Sequence, residues 1–150
     1  MKKLGFGCMR LPLTNPEEPT SVDLKQFCEM IDTFMDNGFT YFDTAYPYHQ
    51  RQSELFVKKA LVERYPRNSF TLADKLPVPF MKVKEDAKRI FDEQLEKCGV
   101  NYFDYYLLHS LNRNHYQTAL KFGCFDFIKK MKEEGKIREI GFSFHDTADI

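Results

Sequence analysis

Short apolar runs alternate with amphipathic helical stripes along the whole chain, and that alternation leaves few folds open. Strand-type runs at residues 4–8, 40–44, 70–75, 103–109 and 137–144 are separated by four helix-type segments. In the first segment Leu24, Phe27, Cys28, Ile31, Phe34 and Met35 recur at helical spacing. Thr20 and Asp23 form a capping-box pattern ahead of them, and Gly38 closes the segment. Ser53 reads as the N-cap of the second, which runs through Phe56, Val57, Ala60 and Leu61 to about Arg64, before Pro66. The third carries Val83, Ala87, Ile90, Phe91, Leu95 and Cys98 and ends at Gly99. The fourth covers roughly residues 122–134, with Phe125, Ile128 and Met131 inward and Gly135 as its stop. Tyr105, Tyr106, Leu107 and Leu108 make a run that is apolar on both faces, as a parallel sheet covered by helices requires. The pattern predicts an α/β fold with right-handed crossovers.

The strand ends narrow the choice further. Asp43, Lys75, His109 and Ser143 each stand at the C-terminal end of a successive strand, 32, 34 and 34 residues apart, one strand–helix unit each time. In a closed barrel of parallel strands such ends converge on one mouth. An open doubly wound sheet would spread them along a line, at about 4.8 Å per strand. It would also want a GxGxxG turn after its first strand. Gly5 to Arg10 lacks the third glycine and runs into a loop, not a helix. A (β/α)8 TIM barrel is the predicted architecture. The chain supplies about the first five strands and four helices, and a full barrel takes about 250 residues. Residues 1–150 are thus expected to be the N-terminal portion of one barrel domain, with the remaining strands lying elsewhere. Taken alone, they would leave the first and fifth strands as unpaired edges prone to self-association.

Composition excludes several partners. The 22 basic and 22 acidic residues cancel, which offers nothing to nucleic acid or an anionic membrane. No segment approaches the roughly 20 apolar residues of a membrane span, and no signal-type run follows the first three residues. Cys8, Cys28, Cys98 and Cys124 form no CxxC pair, so no metal site is expected among them and free thiols in the cytoplasm are. Fifteen Phe and eight Tyr without Trp predict an aromatic core.

An aspartate, a lysine, a tyrosine and a histidine brought to one mouth suit the protonation of a carbonyl oxygen. Free tyrosine, with a pKa near ~10, is a poor acid at neutral pH. A neighbouring ammonium favours the phenolate, a carboxylate balances that ammonium, and a histidine can orient the carbonyl while hydride arrives at carbon. The stretch from Tyr41 to His49 contains both Tyr46 and Tyr48, and spacing alone does not choose between them.

These residues resemble the aldo-keto reductases, (β/α)8 barrels that reduce carbonyls with a nicotinamide cofactor. The resemblance rests on Asp43-Thr44-Ala45 with Tyr48 five residues beyond the aspartate, Lys75 in FTLADKLP, His109 in DYYLLHS, and the run EEGKIREIGFS. It implies NADP as cofactor (NAD remaining open), a small-molecule carbonyl substrate, and Asp43, Tyr48, Lys75 and His109 as catalytic residues with Tyr48 as the acid. Asp43 also counts among the cofactor-binding positions, with Gly7, Cys8 and Met9 at the turn beside the cofactor and Ser143 at the nicotinamide carboxamide. Phe144 stands where the family usually has an asparagine, which removes an amide partner for that ring. LGFGCMRLP and IGFSFHD are similar to a branch that often carries a ferredoxin-like iron–sulfur segment after the barrel, so a cluster is expected only if such an extension exists.

Other readings stand beside this one. Lys75 could form a Schiff base in an aldolase, although Asp43 should keep it charged. The barrel could instead serve as a non-catalytic nucleotide-binding or assembly subunit, or be an inactive truncated fragment. A metal-dependent hydrolase would want His-x-His after the first strand, and none is present. Tyr46 is expected in packing or the pocket wall, His49, His115 and His145 in loops, and Cys8 in packing near the mouth.

Overall fold

All five strands of the computed structural model pair in parallel, and each lies beside its neighbour in sequence, in the order β1-β2-β3-β4-β5. The structure describes residues 3–147. The strands are β1 (Gly5–Gly7), β2 (Tyr41–Asp43), β3 (Thr71–Leu76), β4 (Phe103–Leu111) and β5 (Ile137–Phe144). Between them lie α1 (Leu24–Asp36), α2 (Ser53–Val57), α3 (Asp86–Cys98), α4 (Arg113–Lys121) and α5 (Cys124–Glu133). A doubly wound sheet reverses its strand order part-way across; this one never does, which is the order of a barrel wall.

Strand alternation separates two faces. Phe42, Leu72, Tyr106 and Leu108 are buried under the helices. Phe91 of α3 meets Phe103 and Tyr106 of β4 edge-on at ring distances of 5.9 and 4.9 Å, while Phe6, Phe34 and Phe42 form a second cluster under α1. Edge-to-face packing lets so many aromatic rings fill the space without a tryptophan. The opposite face is the inside of the barrel wall. Tyr41, Tyr105 and Leu107 are half-buried there, and two glycines make room for them. A Cβ on Gly5 would stand 2.7 Å from Cδ1 of Tyr41, and one on Gly141 2.9 Å from Cδ2 of Leu107.

Several local expectations shift. The cap of α1 is Asp23, which accepts from the Gln26 amide at 2.9 Å, while the Thr20 hydroxyl bonds Glu18. Ser53 lies inside α2 rather than before it, and the helix continues as a π-helical turn over Lys58–Val62. Val83 precedes α3 and is exposed. One helix is additional to the four expected. α4 holds His115, expected in a loop, and is capped by Asn112, which accepts from the His115 amide at 2.8 Å. Only Ala119 of its nine residues is fully buried, so it carries little of the apolar stripe from which helices are read.

Candidate active site

Register decides which side chains share the mouth. Asp43 pairs with Ala73 and Lys75 pairs with Leu107, so moving from strand to strand the inward position steps two residues onward, from Asp43 to Lys75 to His109. Gly141 pairs with Leu107 and Phe142 with Leu108; the register then shifts between Leu108 and Leu111, and Ser143 meets the Ser110 amide beside His109. A stagger of this kind tilts the strands of a barrel and gathers their C-terminal ends.

Lys75 is the centre of the group, and only 5% of it is exposed. Its ammonium donates to Asp43 Oδ1 at 2.5 Å, to the Thr44 carbonyl at 2.7 Å and to the Tyr48 hydroxyl at 3.4 Å. An ammonium has three donors and no acceptor, so these partners use all of them, as a buried cation needs. Tyr48 meets His109 edge-on, with ring centroids 5.9 Å apart. His109 is pushed down to about 4, first by burial, then by the Lys75 ammonium and His145. It therefore faces the mouth as a neutral imidazole at physiological pH.

A shell of buried polar groups behind Lys75 escaped the sequence reading. The Thr44 and Ser53 hydroxyls lie 2.9 Å apart, and Ser53 also donates to the Cys8 carbonyl. Gln94 of α3 donates to the Lys75 carbonyl at 3.1 Å and to Glu54 Oε1 at 3.0 Å, and accepts from the Tyr106 hydroxyl. The strand end is thus held from behind while the ammonium is held in front. Asp74, pointing away from the mouth, is fully buried; burial, then the Glu54 charge, pushes its carboxyl up. Burial likewise pushes Glu54 up, against a hydrogen bond from Gln94 and the Lys97 ammonium. Among the described residues Glu54 Oε2 has no hydrogen bond, only Lys97 Nζ at 3.5 Å. Polar residues such as Asp74 and Gln94 inside otherwise buried elements were the available signal.

The remaining sequence-named positions distribute as follows. Gly7 ends β1, and among the described residues a Cβ there would meet nothing within 4 Å, so they leave the space above it open. Cys8 is fully buried with its thiol pushed up by burial, which leaves packing as its part, and Met9 is exposed. Ser143 Oγ accepts from the Ser110 amide at 2.8 Å, and Ser110 itself has φ 58°. Tyr46 is buried away from Lys75; its ring packs on Phe80 and its hydroxyl bonds Arg51 and Glu93. His49, expected in a loop, lies in one and bonds two backbone groups of the loop after β1. Among the described residues no group of three or more His, Cys, Asp or Glu side chains could hold a metal, and the four cysteines are free. No helix among them is long and apolar enough to cross a membrane.

The model of the aldo/keto reductase family matches residues 3–150. The chain belongs to that family. It is 30% identical over 155 residues to the Glycine max protein "Probable aldo-keto reductase 1", covering 95% of this chain and 41% of that one. The solved aldo-keto reductase from Klebsiella pneumoniae in complex with NADPH superposes with a TM-score of 0.73 at 27% identity, over 97% of this chain and 46% of that one. The holo form of an aldo-keto reductase from Bacillus halodurans gives 0.71 at 28% identity, over 95% and 46%. The chain spans about half the length of the relatives it matches. In this aldo-keto reductase chain the parallel sheet with its helices is the corresponding part of a (β/α)8 barrel.

Proposed function

We propose that residues 1–150 form the N-terminal half of a barrel enzyme that reduces an aldehyde or ketone to an alcohol with NADPH, Tyr48 acting as the general acid. The observation that carries this reading is the Lys75 ammonium bridging the Asp43 carboxylate and the Tyr48 hydroxyl, with His109 beside the same phenol. The NADPH complex of the Klebsiella pneumoniae relative supports that cofactor. The residues present fit a nicotinamide ring at the mouth. Open space above Gly7 admits close approach, and Asp43 and Ser143 border the same end of the sheet. When bound, the cofactor supplies hydride to the carbonyl carbon.

The chain's own residues then have separate tasks. Lys75, donating to the phenol oxygen, favours the charge that builds there as Tyr48 gives its proton to the carbonyl oxygen. Asp43 and the Thr44 carbonyl hold the ammonium in place. His109, neutral, hydrogen-bonds the carbonyl oxygen and sets its angle without competing as a proton donor. A Schiff-base aldolase would need a free amine lone pair on Lys75, and the three acceptors around Nζ speak against one.

Replacing Tyr48 by phenylalanine in the complete barrel enzyme tests the assignment, because it removes the hydroxyl and keeps the ring. Cofactor binding should survive while carbonyl reduction falls on the order of 10²–10⁴-fold, the usual worth of a general acid. Retained reduction would remove Tyr48 from the role.

A further inference from the structure

The turn that carries Tyr48 is built from residues that do not favour its backbone. His49, Gln50 and Arg51 have φ of 50°, 51° and 69°, three successive non-glycine residues in the left-handed region. Side chains rarely accept that conformation in succession, so tertiary contacts must impose it. Two groups of such contacts are visible. At one end the Arg51 guanidinium lies 4.4 Å from the centre of the Tyr46 ring and donates to Glu93 of α3 at 2.9 Å, while Lys97 of α3 donates to the Arg51 carbonyl. At the other end His49 reaches the loop between β1 and α1. Its Nε2 accepts from the Leu11 amide at 3.1 Å, and its Nδ1 bonds the Pro19 carbonyl at 2.7 Å. An amide can only donate and a carbonyl can only accept, so the ring is the neutral tautomer with hydrogen on Nδ1.

We propose that His49 is a positioning residue, a clasp that ties the loop following β1 to the turn carrying Tyr48 and so fixes the phenol against Lys75. The proposal rests on Tyr48 as the acid. Three observations carry it. A glycine would take φ near 50° without strain, whereas His49 takes it while using both ring nitrogens for contacts 38 and 30 positions away. Tyr48 immediately precedes the clasp, and among the described residues its own backbone is otherwise held only by local bonds, from its amide to the Ala45 carbonyl and from the Ser53 amide to its carbonyl. The clasped loop begins at Cys8, whose amide donates to the Asp43 carbonyl at 2.8 Å, so the loop leads straight back to the residue that balances Lys75.

The complete barrel enzyme is compared with its His49→Gly and His49→Gln variants. Glycine relieves the backbone and removes the clasp; glutamine can still accept from Leu11 and donate to Pro19. In His49→Gly, amide hydrogen exchange should rise in residues 9–19 and 46–52, and kcat should fall on the order of tenfold, because small displacements of a catalytic group are costly. The substrate KM should change less than kcat, and the melting temperature should hold. In His49→Gln, exchange should return to the parent pattern and kcat to within about threefold, the scale of one altered hydrogen bond. A glycine variant with parent kcat, or a loss that glutamine does not recover, overturns the positioning role. If the parent enzyme itself reduces no carbonyl, the proposed function fails, and exchange then decides the clasp alone. Faster exchange with glycine and its reversal with glutamine supports it, and unchanged exchange refutes it.

Discussion

Lys75→Met should expose how tightly the mouth of the barrel depends on one cation. Methionine keeps most of the apolar stem and removes the ammonium, which donates to Asp43 at 2.5 Å, the Thr44 carbonyl at 2.7 Å and Tyr48 at 3.4 Å. Removing one member of a buried pair costs about 3–5 kcal/mol, because the other charge stays behind without compensation. The Asp43 side chain is 27% exposed and can recover part of its hydration, which places this variant at about 2–3 kcal/mol. Asp43→Asn makes the complementary cut and leaves an ammonium that is only 6% exposed, so it should cost about 3 kcal/mol or more. The double variant has neither charge. Its cost should stay near that of the worse single change, leaving a coupling energy of about 2–3 kcal/mol. Urea denaturation followed by circular dichroism and by tyrosine fluorescence measures all three, with unchanged slopes as the condition for comparing them. Additivity within about 0.5 kcal/mol would show that the two groups are neighbours without being partners, and the reading of the mouth as a charge-balanced unit would fall.

Further outcomes follow from neighbouring groups. His109 should titrate with a midpoint near 4 by NMR, since it is pushed down to about 4 chiefly by burial. The unfolded chain takes up that proton first, near pH ~6.5, so the contribution of His109 to stability should be lost as pH falls from there toward 4; a midpoint near 6.5 would contradict its placement. Asp74→Asn should stabilise the protein, and by more at pH 8 than at pH 5, since burial raises the Asp74 carboxyl and the folded state loses ground to the unfolded state as pH climbs above the ordinary aspartate range. Equal effects at both pH values would show that Asp74 ionises freely. Residues 1–150 expressed alone should bind an apolar dye and sediment as concentration-dependent oligomers, because Phe142 is 62% exposed beside Phe144 on β5 and Leu4 is 54% exposed before β1. A monodisperse, dye-silent monomer would argue that these surfaces are protected.

Much of the fold was legible because its signals are local or periodic. Helix stripes, the strand runs and the stops at Gly38, Gly99 and Gly135 need only neighbouring residues, and those glycines do have φ of 76°, 70° and 75°. One strand–helix unit of about 34 residues also carries Asp43, Lys75 and His109 to successive strand ends, so their gathering followed from counting. Which of them acts as acid, base or cofactor contact was drawn from resemblance to a family, and spacing contains no such information.

What stayed hidden depends on contacts between positions far apart in the chain. Nothing local marks His49 as the partner of Leu11 and Pro19, or Gln94 as the brace behind the Lys75 carbonyl. The Thr44 carbonyl that holds the ammonium is backbone, identical in every residue type, and only the fold aims it at Lys75. Asp74 and Lys75 are adjacent polar residues in one strand, yet alternation sends one into the helix layer as a buried acid and the other into the mouth. The sequence by itself determined the alternation of strands and helices and the ends at which polar groups appear. Register, burial and the long-range hydrogen bonds were decided by tertiary structure, because they arise only when positions some 19 to 47 residues apart are packed together.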